Sequence, residues 1–374
     1  MADQEIKNEI IYFPYLFLRE DEIDFGFAKV IRLESDLSKY CSDEGKIAHV
    51  RNLLSAFYEG KERPIRGIGL LKFAECELFD PVPNLTTDRI DEIKNLLFIS
   101  ALSLSNTSDR NSYAGWSVVA SDNFDYFIQP FVVGAYSFGS ENGYIVTKIV
   151  GGYKVGGKYF KIPEYILEPR YNLDTDLLNE LLWLRQYSPV IYKRINRAIH
   201  FVYQSSSNNP RFSVNSRILL MATSFEILLK LPEKQQRKYF REMVGKLAKS
   251  KKDRTIRFWS SRAPYNKSNR KTGSDQVWWA DNFYTLRNKI AHGDNLKPSD
   301  YIFRNTHRHF DISIIMFLLL LKRLINKRRK KKIFFDIIWW GGHSDGEEKF
   351  LGFRYDHQII EKLISDAYFE QTSK

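Results

Sequence analysis

The segment LRNKIAHGD (residues 286–294) places an arginine and a histidine five positions apart at the close of an apolar-patterned stretch. A guanidinium stays charged and offers forked donors to phosphate oxygens. An imidazole ordinarily takes or gives a proton near neutral pH. Arg287 and His292 are therefore candidates for chemistry on a phosphodiester, in which one stabilises developing charge and the other moves a proton.

The chain around this segment is strongly basic. Residues 230–332 hold 28 Lys and Arg against 8 Asp and Glu, a net +20, whereas the whole chain is +12 and the remainder is therefore −8. A basic region of this size favours a polyanionic partner, of which nucleic acid is the obvious candidate.

Spacing alone does not single out this segment, because residues 194–200 and 304–309 contain similar arginine–histidine spacings. Its surroundings do. Asn288 follows the arginine, and Gly293 follows the histidine as a natural helix C-cap residue. Upstream, the apolar helix predicted over residues 213–231 contains one acid, Glu226. On an ideal helix, residues five apart point about 140° apart, so the pair converges only at a helix end or with a second protomer.

Length and pattern predict two domains. With 374 residues and 43% hydrophobic content, the chain is long enough for both. The sequence pattern predicts a mixed α+β domain over residues 1–172 and an all-α helical domain over residues 173–374. The expected elements of the first part are strands at 10–18 and 25–33, helices at 49–60 and 86–104 with Thr87 as an N-cap, and β-hairpins over 116–162. In the second part we expect helices at 177–187, 190–205, 213–231, 275–292, 306–326 and 356–369, a basic helix after residue 232 and a loop over 251–274.

Composition also predicts an intracellular protein. Cys41 and Cys76 form neither a disulfide framework nor a metal-ligand pattern. The N-terminus is polar, and the longest apolar run, residues 314–321, is far below the ~20 residues that span a bilayer. We therefore expect a cytoplasmic protein without membrane association, and neither a cofactor nor a metal site. His307 and His309 have HxH spacing but lack acidic or cysteine companions.

The pair of segments SRILLMATSFEILLKL and FYTLRNKIAHGD resembles the HEPN (higher eukaryotes and prokaryotes nucleotide-binding) domain, in its Apea-like branch. The resemblance covers roughly residues 177–324. It implies a helical bundle that dimerises and brings the Arg-x4–6-His segments of two protomers together. Many members are metal-independent endoribonucleases that act in bacterial antiviral defence or as toxins. Carried over by position, Arg287 and His292 are the catalytic pair and Asn288 is the polar residue beside the arginine. Another branch has a tyrosine two residues after the histidine, where this chain has Asp294.

Other residues are candidates for support or for RNA binding. Glu226 would orient Arg287 or neutralise another nearby base, and Tyr284 and Asp294 would support the site or serve only packing and solvation. Basic residues interleaved with aromatics can hold phosphates while bases stack, although a solvated loop is an equal alternative. The RNA-binding candidates are Arg254, Arg257, Trp259, Arg262, Lys267, Arg270, Lys271 and Lys289. Trp278 and Trp279 are expected in the core or in dimer packing.

Two functions from different classes follow. The first is a metal-independent endoribonuclease, active as a homodimer, that cleaves RNA, tRNA being one candidate, through attack by the 2′-hydroxyl. Residues 1–172 would then sense a trigger, bind a regulatory protein or select substrate. The alternative is a non-catalytic RNA-binding or interaction module with the same helical bundle. In that case Arg287 is a phosphate contact and His292 is a capping residue near a helix C-terminus, where cations are favoured.

Overall fold

The computed structural model describes residues 8–54, 57–59, 63–64, 66–105, 119–131, 137–139, 145–149, 152–155, 160–161, 172–209, 212–248, 256–259, 270–303 and 307–329. The chain divides into two compact units. The first comprises Met1–Lys94 with Ala120–Asn172, and the second comprises Asn95–Val119 with Leu173–Lys374. Sheet and helices together make this an α+β protein with a helical part.

The first unit contains most of the strands and begins one helix that ends in the second unit. Its elements are β1 (Asn8–Phe13), β2 (Glu22–Asp24), β3 (Ala28–Arg32), α1 (Glu44–Leu54), β4 (Phe57–Glu59), β5 (Arg63–Pro64), β6 (Gly69–Phe73), α2 (Thr87–Ser105), β7 (Phe127–Phe131), β8 (Ser137–Gly139), β9 (Ile145–Ile149), β10 (Gly152–Val155) and β11 (Phe160–Lys161). The main sheet has the order β2-β3-β6-β1-β7 and is antiparallel throughout. Two three-stranded sheets have the orders β10-β9-β8 and β11-β4-β5.

Two predicted elements of this unit have different bounds. The first strand ends at Phe13 rather than at residue 18, because Pro14 has no N–H to continue the ladder. The helix predicted over 49–60 begins earlier, at Glu44, and ends at Leu54. The residues after it form β4, which pairs in parallel with β11 about a hundred positions later in the chain. Because the two strands are so far apart in the chain, no local sequence pattern indicates that residues 57–59 form a strand.

The second unit contains the remaining helices and two short ribbons. Its elements are α3 (Thr175–Tyr187), α4 (Pro189–Ser205), α5 (Val214–Leu229), α6 (Gln236–Leu247), β12 (Ile256–Trp259), β13 (Arg270–Gly273), α7 (Asp275–His292), β14 (Ile302–Phe303), β15 (His307–Arg308) and α8 (His309–Arg329). The all-α expectation is therefore wrong in one respect, since β12 pairs with β13 and β14 with β15. The first ribbon lies inside the predicted loop over 251–274. The helix predicted over 356–369 lies outside the described residues.

Helix α5 is the centre of this unit. It packs against α4, α6, α7 and α8, as expected for a helix with a largely apolar sequence. Phe225 on α5 contacts Phe240 on α6, with ring centroids 5.0 Å apart, and Phe283 on α7 at 5.8 Å. Trp279, fully buried, stacks on Phe283 at 5.1 Å, so this tryptophan belongs to the core.

The C-terminal half of α2 also belongs to this unit, although the sequence assigned it to the first domain. It is apolar around most of its circumference, as expected for a helix enclosed by other helices. Phe98 makes an edge-to-face contact with Tyr203 on α4, with centroids 5.3 Å apart. A sequence-based boundary assigns the whole of α2 to the domain that surrounds it in the chain. Its C-terminal half belongs to the second unit because its apolar surface packs against helices of that unit.

Helix α8 holds the longest apolar run of the chain, and Lys322 directly follows that run. Within the described ranges, no helix combines the length and apolar character needed to cross a bilayer. Lys322 is 1% exposed and donates to Asp174, 3% exposed, over 2.9 Å. Asp174 also caps α3 by accepting from the Leu177 amide at 2.9 Å, and it accepts from the Ser103 hydroxyl. This buried pair therefore joins three helices. Burial lowers the pKa of Lys322 to about 8, although the Asp174 charge opposes the shift.

Removing one member of the Lys322–Asp174 pair should strongly destabilise the protein. Lys322→Met leaves Asp174 buried without its counter-charge, so the unfolding free energy should fall by about 3–5 kcal/mol in urea titrations. Lys289→Met is the matched control, because Lys289 pairs with Asp300 at a partly exposed position, where loss of an ion pair costs about 1 kcal/mol or less. Adding Asp174→Asn to Lys322→Met should recover part of the loss. Equal effects of the two lysine substitutions would contradict the structural role of the buried pair.

Candidate functional site

Helix α7 carries the arginine–histidine segment and ends immediately after it. Ser274 caps the helix N-terminus by accepting from the Val277 amide at 3.4 Å. Gly293 adopts φ 71°, a left-handed conformation that a residue with Cβ avoids. Its amide bonds to the Ile290 carbonyl, and the next amide bonds to the Lys289 carbonyl. His292 is therefore the last residue of the helix.

Arg287 is fixed by contacts from two helices. Its Nη2 lies 3.2 Å from Oε1 of Glu226 on α5, and the two side chains are 27% and 18% exposed. The guanidinium carbon lies 5.5 Å from the ring centroid of Tyr284, one turn earlier on α7. Nη1 donates to Oδ1 of Asn288 at 3.3 Å. The guanidinium is thus oriented by an acid and an aromatic ring while part of it remains accessible.

Tyr284 joins three helices at this site. Its side chain is buried, and its hydroxyl lies 2.6 Å from Oε1 of Glu226 and 2.8 Å from Oε1 of Gln236, at the start of α6. Burial, and then the hydrogen bond and charge of Glu226, raise the pKa of Tyr284 well above its ordinary value. The phenol therefore stays protonated. Because it has one proton, the charged and nearer Glu226 is the favoured acceptor.

Gln236 is the contributor that sequence reasoning missed. It lies in a polar, basic run that forms the first turn of α6. No spacing motif links it to α7. Only the packing of α6 against α7 brings its amide to the Tyr284 hydroxyl. Glu226 and Tyr284, by contrast, are sequence candidates that the fold brings together with Arg287.

His292 and Arg287 are not joined in one chain. His292 is exposed at the end of α7, and no hydrogen bond or ion pair links it to another described side chain. Five residues on a regular helix separate two side chains by about 140° around the axis. Asp294, also exposed, contributes its backbone amide to the helix cap. The fold orients the cation and leaves the imidazole free for solvent or a further group.

The loop after the site is tied back to the bundle. Lys289 donates to Asp300 at 2.7 Å, and Asp300 also accepts from the Lys297 amide at 2.8 Å. The Tyr301 hydroxyl donates to Asn215 on α5 at 2.6 Å. Burial acts to raise the pKa of Asp300, but the bonds from Lys289 and Lys297 outweigh it and lower the pKa. Lys289, expected as an RNA contact, thus has an acidic partner in the fold.

Four of the other RNA-binding candidates fall on the β12–β13 ribbon. Arg257 and Trp259 are on β12, and Arg270 and Lys271 are on β13. The remaining three candidates, Arg254, Arg262 and Lys267, lie outside the described residues.

The two other arginine–histidine spacings have different surroundings. A ring nitrogen of His200 lies 2.9 Å from Nε2 of Gln204 on the same helix. His309 is buried between the rings of Phe283 and Phe303, at centroid distances of 6.3 and 5.7 Å. Burial lowers the pKa of His309 to about 3, although Asp300 opposes the shift. His309 is therefore a neutral core residue. In the described part of the chain, no group of three His, Cys, Asp or Glu side chains is placed to hold a metal ion.

Removing the Tyr284 hydroxyl should destabilise the bundle without altering its packing. Tyr284→Phe leaves Glu226 and Gln236 without their shared partner, so the unfolding free energy should fall by about 1–3 kcal/mol. Tyr239→Phe is the matched control, because Tyr239 is 42% exposed on α6. Chemical denaturation of both variants measures the difference. A Tyr284→Phe protein as stable as the control would contradict this role of the hydroxyl.

His309 should make the protein acid-sensitive. Its pKa of about 3 in the folded state lies below the ordinary 6.5, so the unfolded state binds more protons between these values. The stabilisation that neutral His309 contributes is therefore fully present above about pH 6.5. Below that pH the unfolding free energy falls by up to about 1.4 kcal/mol per pH unit. His309→Leu should remove this slope in urea titrations from pH 7 to 4. Above pH 7 the difference in unfolding free energy between the wild type and His309→Leu should stay constant. If the unfolding free energies of the two proteins fell in parallel at acid pH, His309 would not be a neutral buried residue.

No family model, curated protein or solved structure matches this chain. The resemblance to the HEPN domain therefore depends on the motif residues themselves.

Proposed function

We propose that this protein is a metal-independent endoribonuclease of the HEPN type, with Arg287 and His292 as its catalytic residues. The observation that carries the proposal is the fixed, partly exposed guanidinium of Arg287, held by Glu226 and Tyr284 on the helix that ends at the exposed His292. The surrounding chain has a net charge of +20 over residues 230–332, which suits a polyanionic substrate.

The reaction uses a nucleophile that RNA itself supplies. The 2′-oxygen attacks the adjacent phosphorus, His292 takes the 2′-hydroxyl proton, and the bond from phosphorus to the 5′-oxygen breaks. The leaving oxygen takes a proton from an imidazolium or from water. Arg287 stabilises the negative charge that develops on the phosphoryl oxygens, the kind of interaction that typically supplies the largest catalytic contribution. The products are a 2′,3′-cyclic phosphate and a 5′-hydroxyl.

A homodimer would bring the two residues together. Within one chain they point about 140° apart around α7, so a two-fold partner is the simplest source of the missing group. The face of α5 that carries Glu226 supports this arrangement. Leu219, Leu220, Thr223 and Ile227 share that face and are only partly buried in one chain. Burial of such a face against its copy would stabilise a dimer beside Arg287.

A non-catalytic RNA-binding module is the second candidate. It is favoured by the absence of a bond between Arg287 and His292 among the described residues, since a phosphate contact needs only the arginine. In either case we propose that the first unit senses a trigger, binds a regulatory protein or selects the RNA. We further propose that the protein acts in the cytoplasm, in antiviral defence or as a toxin.

Cleavage in the presence of EDTA separates the two candidates. Wild-type protein incubated with tRNA or total RNA should produce fragments that end in 2′,3′-cyclic phosphate. His292→Ala and Arg287→Ala should each lower the cleavage rate by about 10²–10⁴-fold. His200→Ala is the matched control, because His200 belongs to a similar spacing on α4, and it should retain the wild-type rate. RNA binding without cleavage would favour the second candidate, and activity that EDTA abolishes would refute the mechanism.

Mixing the two inactive variants tests whether the site is shared. A heterodimer of His292→Ala and Arg287→Ala subunits has one composite site with both residues intact. Random exchange should therefore restore about a quarter of the wild-type activity. Sites that lie within single protomers would stay inactive in the mixture, and this result would refute the dimeric site.

A further inference from the structure

Two arginines of α6 share one buried acid of α7. Asp281 is 0% exposed, and Arg237 binds both of its oxygens, with Nε 3.0 Å from Oδ1 and Nη2 2.6 Å from Oδ2. Arg241 donates from Nη1 to the same Oδ1 at 3.3 Å. The two arginine side chains are 15% and 22% exposed. This cluster therefore places two positive charges and one negative charge at a surface that water reaches only in part.

One arginine is enough to neutralise Asp281. The forked bond from Arg237 satisfies both carboxylate oxygens. Arg241 adds a bond from one nitrogen, although a guanidinium has five N–H donors. The shared oxygen holds the two guanidiniums side by side, where their like charges repel each other. Helix α6 itself has four cations and a single acid, Glu242, so an anion that contacts Arg241 would supply the negative charge that the cluster lacks.

The cluster lies on the face of α7 that ends at His292. Asp281, Thr285, Asn288 and His292 are spaced i, i+4, i+7 and i+11, which places them on one face of the helix. Exposure increases along this face, from the buried Asp281 through the half-buried Thr285 and Asn288 to the exposed His292. Eleven residues separate the two ends, which is about 17 Å at 1.5 Å per residue. Nη1 of Arg287 donates to Asn288, so the proposed catalytic arginine borders the same face.

Helix α6 runs antiparallel to α7 beside this face. Gln236, at the start of α6, contacts the Tyr284 hydroxyl, whereas Gly245, near the end of α6, lies against Val277. The chain of α6 therefore leads away from the end of α7 that carries the histidine. A polyanion that extends from that end along α7 reaches the two arginines of the cluster.

We propose that Arg241, together with Arg237, forms a phosphate-binding site that holds the RNA strand beside the cleavage site. The RNA backbone follows the face of α7 from His292 toward α6, and a phosphate oxygen accepts from the Arg241 guanidinium. Asp281 is a positioning residue, because it orients the guanidiniums and does not touch the phosphate. Phosphate contacts fix the position of a nucleic acid without reading its sequence. This inference rests on the proposed function, since it takes RNA as the substrate, and it adds how that substrate is held.

Salt-dependent binding tests the phosphate contact. The full-length protein carrying His292→Ala is titrated with fluorescent, unstructured RNAs of about 16 nucleotides, in two different sequences. Adding Arg241→Gln should weaken the binding of both RNAs about tenfold, because a charge-assisted bond is lost. The same substitution should reduce the magnitude of the salt slope by about 0.7, the value for one phosphate contact on a single strand.

The same helix provides matched controls. Lys246→Gln removes an exposed cation five residues from Arg241, about 140° around α6, and should leave the salt slope almost unchanged. Arg241→Lys keeps the charge and should keep the slope. Because Arg237 still neutralises Asp281, the urea midpoint of Arg241→Gln should stay close to that of the parent protein.

Four results would overturn the proposal. Arg241→Gln could bind both RNAs normally, Lys246→Gln could reduce the slope as much as Arg241→Gln does, or Arg241→Lys could lose the slope as the glutamine variant does. A large fall in the urea midpoint of Arg241→Gln would show that this arginine is needed to neutralise the buried acid and is not available to RNA.

Cleavage assays separate this inference from the proposed function. A dinucleotide has a single phosphate and cannot occupy the cleavage site and the arginine cluster together. In otherwise wild-type protein, Arg241→Gln should therefore slow cleavage of the longer RNA about tenfold at subsaturating concentration, and leave both kcat and dinucleotide cleavage unchanged. If the binding differences are observed but no RNA is cleaved, the phosphate site stands and the nuclease proposal fails. If cleavage occurs and Arg241→Gln is normal in both assays, the nuclease proposal stands and this site fails.

Discussion

The position of the proposed catalytic arginine depends on the carboxylate of Glu226. It lies on α5, the central and largely apolar helix, where a poorly solvated charge requires partners. The Tyr284 hydroxyl and the Arg287 guanidinium supply them from α7, and Gln236 from α6 contacts the same hydroxyl. These contacts fix the position of α7 along α5. The orientation of the proposed catalytic arginine is thus a consequence of satisfying one acid in the bundle.

The end of α7 imposes a second constraint. Gly293 allows the chain to leave the helix directly after His292, and the Lys289–Asp300 bond ties the following loop back to the same helix. Glu226 and Tyr284 orient the arginine within the bundle, while the histidine lies exposed at the helix terminus. This division suits a site completed by something outside one chain, whether a second protomer or the RNA itself. The buried side of α7 carries Trp279 and Phe283, which stack on each other and contact Phe225 of α5. This packing holds the helix that bears Arg287 against the bundle.

Elements with a strong local pattern could be predicted from the sequence, and those that depend on distant pairing could not. Helices α3, α4, α5 and α7 lie within two residues of their expected bounds, because periodic apolar residues and capping residues such as Ser274 and Gly293 define them. The sequence pattern predicts a helix where strand β4 lies, because the partner strand β11 is remote in the chain. It predicts a loop where the β12–β13 ribbon lies, because two four-residue strands carry little periodic signal.

The available chemistry can be read from the amino-acid sequence. The sequence shows which residues are basic, where the helix that bears Arg287 ends, and that Glu226 is the one acid in the apolar helix α5. These are local properties, set by side-chain type and by the backbone preferences of residues such as Gly293. Which groups meet depends on the tertiary structure. The packing of the helices assigns Gln236 to the site, pairs Lys289 with Asp300 and buries His309 as a neutral core residue. Contacts between residues far apart in the chain depend on how helices and strands pack, because burial and pairing select them and sequence spacing does not.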